Sequence, residues 1–236
     1  MFLLSPEDLR FPPVELASPE GLLAVGGDLR AERLLAAYRH GIFPWYSKGQ
    51  PILWWSPDPR AVLFPPELKI SRSLHKTLHS EKFTVTLDTC FREVMQACAQ
   101  PREKSPDSGT WITPEMVEAY VLLHDKGYAH SVESWREGEL VGGLYGVALG
   151  GAFFGESMFS RRSDASKVAL VRLVHQIEAW GFTIVDCQLP SAHLFSLGAR
   201  AIRRQEFMQH IAETLALPAR SGRWQFDPDR TLISPQ

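Results

Sequence analysis

The longest helical signal in the chain runs from Asp164 to Trp180. There Leu170, Leu173, Val174 and Ile177 recur at core spacing, and Gly181 ends the pattern. Phe91, Val94, Met95 and Cys98 share one face of a second helix, opened by Asp88. Thr113, Pro114 and Glu115 make an N-cap and first turn, and Gly127 stops that helix. Leu34, Leu35 and Tyr38 form the apolar stripe of a helix from Asp28, its N-cap, to His40, with Gly41 in the left-handed position behind it. Further helices are expected over Ser71 to His79, just before Gly198, and from about Arg204 to Leu215. Elsewhere the period falls to two. Phe83 to Leu87 reads as a strand, and Ala129 to Arg136, Glu139 to Val147 and Gly151 to Phe159 read as an antiparallel meander with turns at Glu137-Gly138 and Gly150-Gly151. Phe182 to Gln188 is a strand that returns parallel after the long helix, and a short extended piece lies near Arg200.

Residues 1 to about 60 have a different character, rich in Pro, Gly and Trp. The stretch GIFPWYSKGQPILWWSPDPR carries four prolines between Pro44 and Pro59, which predicts no regular element there, yet its three tryptophans demand burial or a ligand. A boundary near residues 60 to 66 divides the chain into a small N-terminal domain, 1–62, and a larger one, 63–236. The polar loop Gln100 to Ser108 is expected to be mobile. The fold class is α+β, with a mainly antiparallel central sheet flanked by helices in the larger domain. Its order of meander, long helix and parallel strand resembles the acetyltransferase (GNAT) superfamily, a likeness of fold and not of function.

A chain of 236 residues with 44% hydrophobic content can bury a sizeable core. The formal charge of -2 gives no global pull toward nucleic acid, so any RNA contact must come from local clusters and base stacking. Three cysteines without CxxC spacing argue against a disulfide framework and for a reducing, cytoplasmic setting. The N-terminal segment has neither a basic region nor a long apolar run, and no stretch approaches a membrane span. No HExxH motif and no GxxxxGK[ST] loop occur, so neither a metal nor a nucleotide cofactor is expected.

On the strand Phe182 to Gln188, alternation puts Phe182, Ile184, Asp186 and Gln188 on one face, which turns from apolar to polar at its C-terminal end. Asp186 and Gln188 then stand about 7 Å apart, close enough to act on one centre. Alternatively Asp186 caps the short helix after Pro190. Glu156 interrupts the apolar run Gly151 to Phe159 and must be paired, solvated or functional, with a salt bridge to Arg161 or Lys167 as the structural alternative. Trp54 and Trp55 are read as glue between the two domains, whereas Trp45 is placed to offer an exposed ring to a base.

The segments GLLAVGGDL (21–29), GIFPW (41–45), WWSPDPRAVL (54–63), GTWIT (109–113), FFGESMFS (153–160), ASK (165–167), DCQ (186–188) and SLGA (196–199) together resemble the bacterial leucyl/phenylalanyl-tRNA protein transferase family over nearly the whole chain. That resemblance implies a small N-terminal domain joined to a GNAT-like one and activity without metal or nucleotide. It implies aminoacyl-tRNA charged with Leu, Phe or Met as donor, and acceptor proteins beginning with Arg or Lys, which the transfer tags for degradation. By matching position it makes Asp186 and Gln188 the catalytic pair, stacks Trp45 on the terminal adenosine and has Glu156 hold polar groups at the reacting centre. It lines the side-chain pocket with Leu144, Phe153, Met158, Leu173 and Val185, adds Ser191 to the substrate-binding set, and gives Arg72 and Lys76 to the tRNA. The rival is an acyl-CoA N-acyltransferase of the same fold. It needs a Gly-rich pyrophosphate loop, but the link from Phe159 to Ala165 contains no glycine.

Overall fold

The structure is a computed structural model and describes residues 2–100 and 111–228. The loop expected over Gln100 to Ser108 falls almost entirely outside those residues. Two sheets organise the chain. The smaller is built from β1 (Phe2–Leu4), β2 (Leu22–Gly26), β3 (Phe43–Pro44) and β4 (Leu53–Trp55) in the order β1-β2-β4-β3. The Pro- and Trp-rich stretch is therefore more regular than its prolines suggest. Pro44 ends the edge strand β3, where its missing N–H costs no ladder bond, and the intervening loop closes an antiparallel pair with β4.

The larger sheet comprises β5 (Arg60–Leu63), β6 (Thr84–Leu87), β7 (Ala129–Arg136), β8 (Glu139–Leu149), β9 (Ala152–Ser160), β10 (Ile184–Gln188) and β11 (Arg200–Ile202). Its order is β11-β5-β10-β9-β8-β7-β6. Every neighbouring pair is antiparallel except β9 and β10, which the long helix connects in parallel. The expected meander and returning strand are thus both present. Strand β5, at the expected 62/63 boundary, lies wholly in this larger sheet.

Seven helices flank the sheets among the described residues: α1 (Ala31–Arg39), α2 (Arg72–His79), α3 (Phe91–Cys98), α4 (Pro114–Asp125), α5 (Ala165–Ala179), α6 (Ala192–Ser196) and α7 (Arg204–Leu215). Two expected caps are corrected. Asp28 does not cap α1, whose N-cap is Arg30. Its carboxylate instead accepts from the Arg30 backbone N–H at 2.9 Å and pairs with Arg33 at 3.3 Å. Asp88 does not open α3, whose N-cap is Cys90. Asp88 is buried and accepts the backbone N–H groups of Ser131 at 2.9 Å and Trp224 at 2.6 Å, tying the C-terminal segment to the sheet.

Alternation along β8 shows how the sheet divides the core. Leu144 and Ala148 pack on the face covered by α5, with Leu173, Val174 and Trp224, while Tyr145, Val147 and Leu149 pack on the other. That second face holds α3, α4 and α7, and its cluster runs on through Tyr38 and Leu34 of α1 to Trp54 of the small sheet. Trp54 is fully buried, meets Phe11 edge-on and donates its indole N–H to the Gly26 carbonyl. No helix among the described residues is long and apolar enough to cross a membrane.

Candidate active site

Strands β9 and β10 pair through Ala152–Ile184, Phe153–Val185 and Phe154–Asp186, and the ladder stops there. Both chains bend at that point. On β9 the register with β8 slips between Gly155 and Ser157, which leaves Glu156 as the extra residue of a bulge. On β10 the register with β5 shifts between Asp186 and Gln188, and Gln188 adopts the left-handed φ of +62°. The two bulges face one another, and the Gln188 side-chain amide donates to Glu156 Oε1 at 2.8 Å across the opening.

Glu156 also accepts the phenol of Tyr38 at 2.7 Å and that of Tyr120 at 3.1 Å, and the two phenols touch each other. Neither expected salt bridge forms. Lys167 pairs with Asp164 at 3.3 Å, and Arg161 lies over the Phe159 ring and donates to the Leu140 carbonyl. Burial pushes the Glu156 carboxyl up to about 7, against the hydrogen bonds from Tyr38 and Tyr120, and nearby Asp186 adds to the rise. Burial and the Glu156 charge likewise raise Tyr38, Tyr120 and Tyr145 well above the ordinary phenol range, so these groups stay protonated.

Asp186 is completely buried and does not cap the following helix. Ser191 does, accepting from the Leu194 N–H at 3.2 Å. The Asp186 carboxylate accepts the Gln188 backbone N–H at 2.9 Å and a fork from Arg60, Nε at 2.8 Å and Nη2 at 2.7 Å. Asp186, Gln188 and Glu156 thus stand in one hydrogen-bonded series. Leu144, Phe153, Leu173 and Val185 come together, buried, on the α5 face of the same region, with the partly buried Met158 packed against them.

Trp45 lies apart from this series, on the small sheet. The residue is 40% exposed and its ring centroid lies 5.7 Å from that of Trp55, whose indole N–H donates to the Trp45 carbonyl, while the Trp45 N–H donates to the Leu53 carbonyl. Arg72 and Lys76 are exposed on α2. On the same helix the rings of His75 and His79 lie 4.2 Å apart, tilted by 35°, and no group of three or more His, Cys, Asp or Glu stands where it could hold a metal among the described residues.

Three members of the cluster escaped sequence reading. Tyr38 and Tyr120 look like ordinary core aromatics, although a buried phenol usually finds a hydrogen-bond partner. Arg60 heads the apolar run Arg60-Ala-Val-Leu63, and a cation there calls for a buried anion.

An antiparallel meander followed by a parallel strand, with amide, carboxylate and phenols gathered where the two ladders end and a buried apolar cluster beside them, defines an α+β domain. The family model for leucyl/phenylalanyl-tRNA protein transferase matches residues 62–212, and the model of that family's N-terminal domain matches residues 27–58. A leucyl/phenylalanyl-tRNA–protein transferase of Nitrosomonas europaea is 60% identical over 222 residues, 93% of each chain. One from Azotobacter vinelandii is 60% identical over 218 residues, 92% of this chain and 96% of that one. A GCN5-related N-acetyltransferase from Kribbella flavida is 13% identical with a TM-score of 0.37, over 71% of this chain and 59% of that one. The chain belongs to the leucyl/phenylalanyl-tRNA protein transferase family and is an aminoacyltransferase.

Proposed function

We propose that this protein transfers leucine or phenylalanine, and methionine as well, from aminoacyl-tRNA to the N-terminal α-amine of cytoplasmic proteins that begin with Arg or Lys, marking them for degradation. The observation that carries the reading is the contact between Gln188 and Glu156 at the opening between β9 and β10. It joins two polar side chains beside the buried apolar cluster of Leu144, Phe153, Leu173 and Val185. The ester of an aminoacyl-tRNA is already activated, so the enzyme needs no energy source and must mainly align the amine and stabilise charge on the carbonyl oxygen. The amine nitrogen forms the new bond to the carbonyl carbon, the carbon–oxygen bond to the terminal ribose breaks, and the proton given up by nitrogen ends on the ribose oxygen.

In this scheme Gln188 orients the amine and Glu156 receives its proton in passing. Asp186 acts through Gln188, whose backbone it holds. Leu144, Phe153, Met158, Leu173 and Val185 surround the transferred side chain, with Ser191 at the rim, and Trp45 stacks on the terminal adenine. Arg72 and Lys76 meet the tRNA backbone, with segment 1–62 presenting Trp45 and segment 63–236 carrying the chemistry.

The test is incubation with labelled Leu-tRNA and a peptide beginning with Arg, against one beginning with Ser. Label entering only the first peptide supports the proposal, and label in neither refutes it. Acetyl-CoA binding by calorimetry together with acetylation of the peptide would favour the rival acyl-CoA chemistry.

A further inference from the structure

Arg60 is the largest buried charge near the candidate site outside the residues assigned so far, at 1% exposure. Its guanidinium carbon sits 4.8 Å from the ring centroid of Phe43 on β3 and 4.6 Å from that of Phe207 on α7. Nε and Nη2 both go to Asp186, and Nη1 has no hydrogen-bond partner among the described residues. All the hydrogen bonding Arg60 does is therefore spent on one carboxylate. Asp186 in turn spends its remaining contact on the backbone N–H of Gln188. That residue is held in the left-handed region, which a non-glycine side chain adopts only under constraint.

We infer that Arg60 is a positioning residue for aminoacyl transfer: its fork fixes Asp186, Asp186 fixes the left-handed bend at Gln188, and the bend aims the Gln188 amide into the opening. The inference rests on the transfer reading proposed above and deepens it. Its chemical content is that Asp186 works through geometry. Its oxygens are occupied by three donors from the protein, and it is sealed from the surface. A lysine at position 60 cannot replace the fork, because a single ammonium neither spans both oxygens nor lies flat between two rings.

The experiment compares single-turnover transfer from labelled Leu-tRNA to an Arg-initiated peptide in wild type, Arg60→Lys, Asp186→Asn and Arg60→Gln/Asp186→Asn. Binding of aminoacyl-tRNA and thermal melting are measured on each. Arg60→Lys is expected to lower the rate about 10²-fold, the usual cost of a misplaced reacting group. Its affinity for aminoacyl-tRNA should stay within about twofold, a split that mere loss of folded protein would not produce. The double variant is decisive. Asp186→Asn alone turns an amide N–H toward guanidinium donors, whereas two neutral amides can bond to each other, and removing both charges together is the change that buried ion pairs tolerate best. The double variant should be at least about tenfold faster than Asp186→Asn. Equal or slower transfer by the double variant, or a folded Arg60→Lys with the wild-type rate, overturns the inference. So does failure of both variants to fold, which would make the pair a folding element. Wild type that transfers nothing would instead sink the underlying reading of function, and this inference with it.

Discussion

The hydrogen bonds around Glu156 make a quantitative prediction for the pH dependence of transfer. Gln188, Tyr38 and Tyr120 all donate to its two oxygens, an arrangement that suits the ionised carboxylate. A proton on Glu156 takes up an acceptor position and turns the Gln188 amide away. With the carboxyl raised to about 7, the active form is the deprotonated one, so activity falls as pH drops through that value. The acceptor amine titrates near pH 8 and must also be neutral to attack. Lowering the pH from 8 to 6 then costs about 50-fold from the amine and about another tenfold from Glu156, so wild type should slow about 500-fold. In Glu156→Gln the second factor disappears: the plateau rate is lower, but the same pH change costs only about 50-fold. Single-turnover transfer to an Arg-initiated peptide, with donor saturating, reads the chemical step directly. An identical pH slope in wild type and Glu156→Gln would show that Glu156 does not titrate in the step and would remove it from the proton path.

Asp186→Asn should lower transfer about 10²-fold or more while aminoacyl-tRNA binding changes little, and a folded variant with wild-type transfer would leave Asp186 a purely structural partner of Arg60. With Val185 at the wall of the proposed pocket, wild type should discriminate against Ile-tRNA and Val-tRNA, whose side chains carry a second γ-carbon. Leu173 is fully buried, so Leu173→Ala should melt earlier, at about 2–5 kcal/mol lost, while accepting a broader range of donors; equal use of Leu- and Ile-tRNA by wild type argues against the pocket. Trp45→Ala should weaken aminoacyl-tRNA binding by about 1–3 kcal/mol without changing its salt slope, with Trp45→Phe recovering much of the loss. Arg72→Ala with Lys76→Ala should flatten that slope, and unchanged affinity of folded Trp45→Ala would place the adenine platform elsewhere.

Most of the fold was readable because it rests on repeated signals. The meander, the helix under Leu170 to Ile177 and the parallel strand each carry several turns or alternations of pattern, and single residues cannot upset them. The failures are local. Asp28 and Asp88 look like caps, but a carboxylate can accept any nearby N–H: Asp28 takes that of Arg30, two residues on, and Asp88 takes those of the distant Ser131 and Trp224. Three strands of the N-terminal sheet, β1, β3 and β4, stayed hidden because they have three residues or fewer, too short for any period to register.

The site shows the same division between what repeats and what does not. Leu144, Phe153, Leu173 and Val185, grouped by motif in the sequence, lie in one buried apolar cluster with Met158 alongside. The polar centre depends on two bulges, each a one-residue irregularity that strict alternation predicts away. In the proposed function those bulges decide the chemistry, because a continuous ladder would bind Gln188 and Glu156 into the sheet. A reaction whose donor arrives activated needs no strong acid or base, and it gains most from groups that cannot drift. A forked guanidinium held by Phe43 and Phe207, a fully buried Asp186 and a left-handed Gln188 supply that rigidity from four separate segments of the chain. Only Asp186 and Gln188 are sequence neighbours, so the third member, Arg60, has to be found in space.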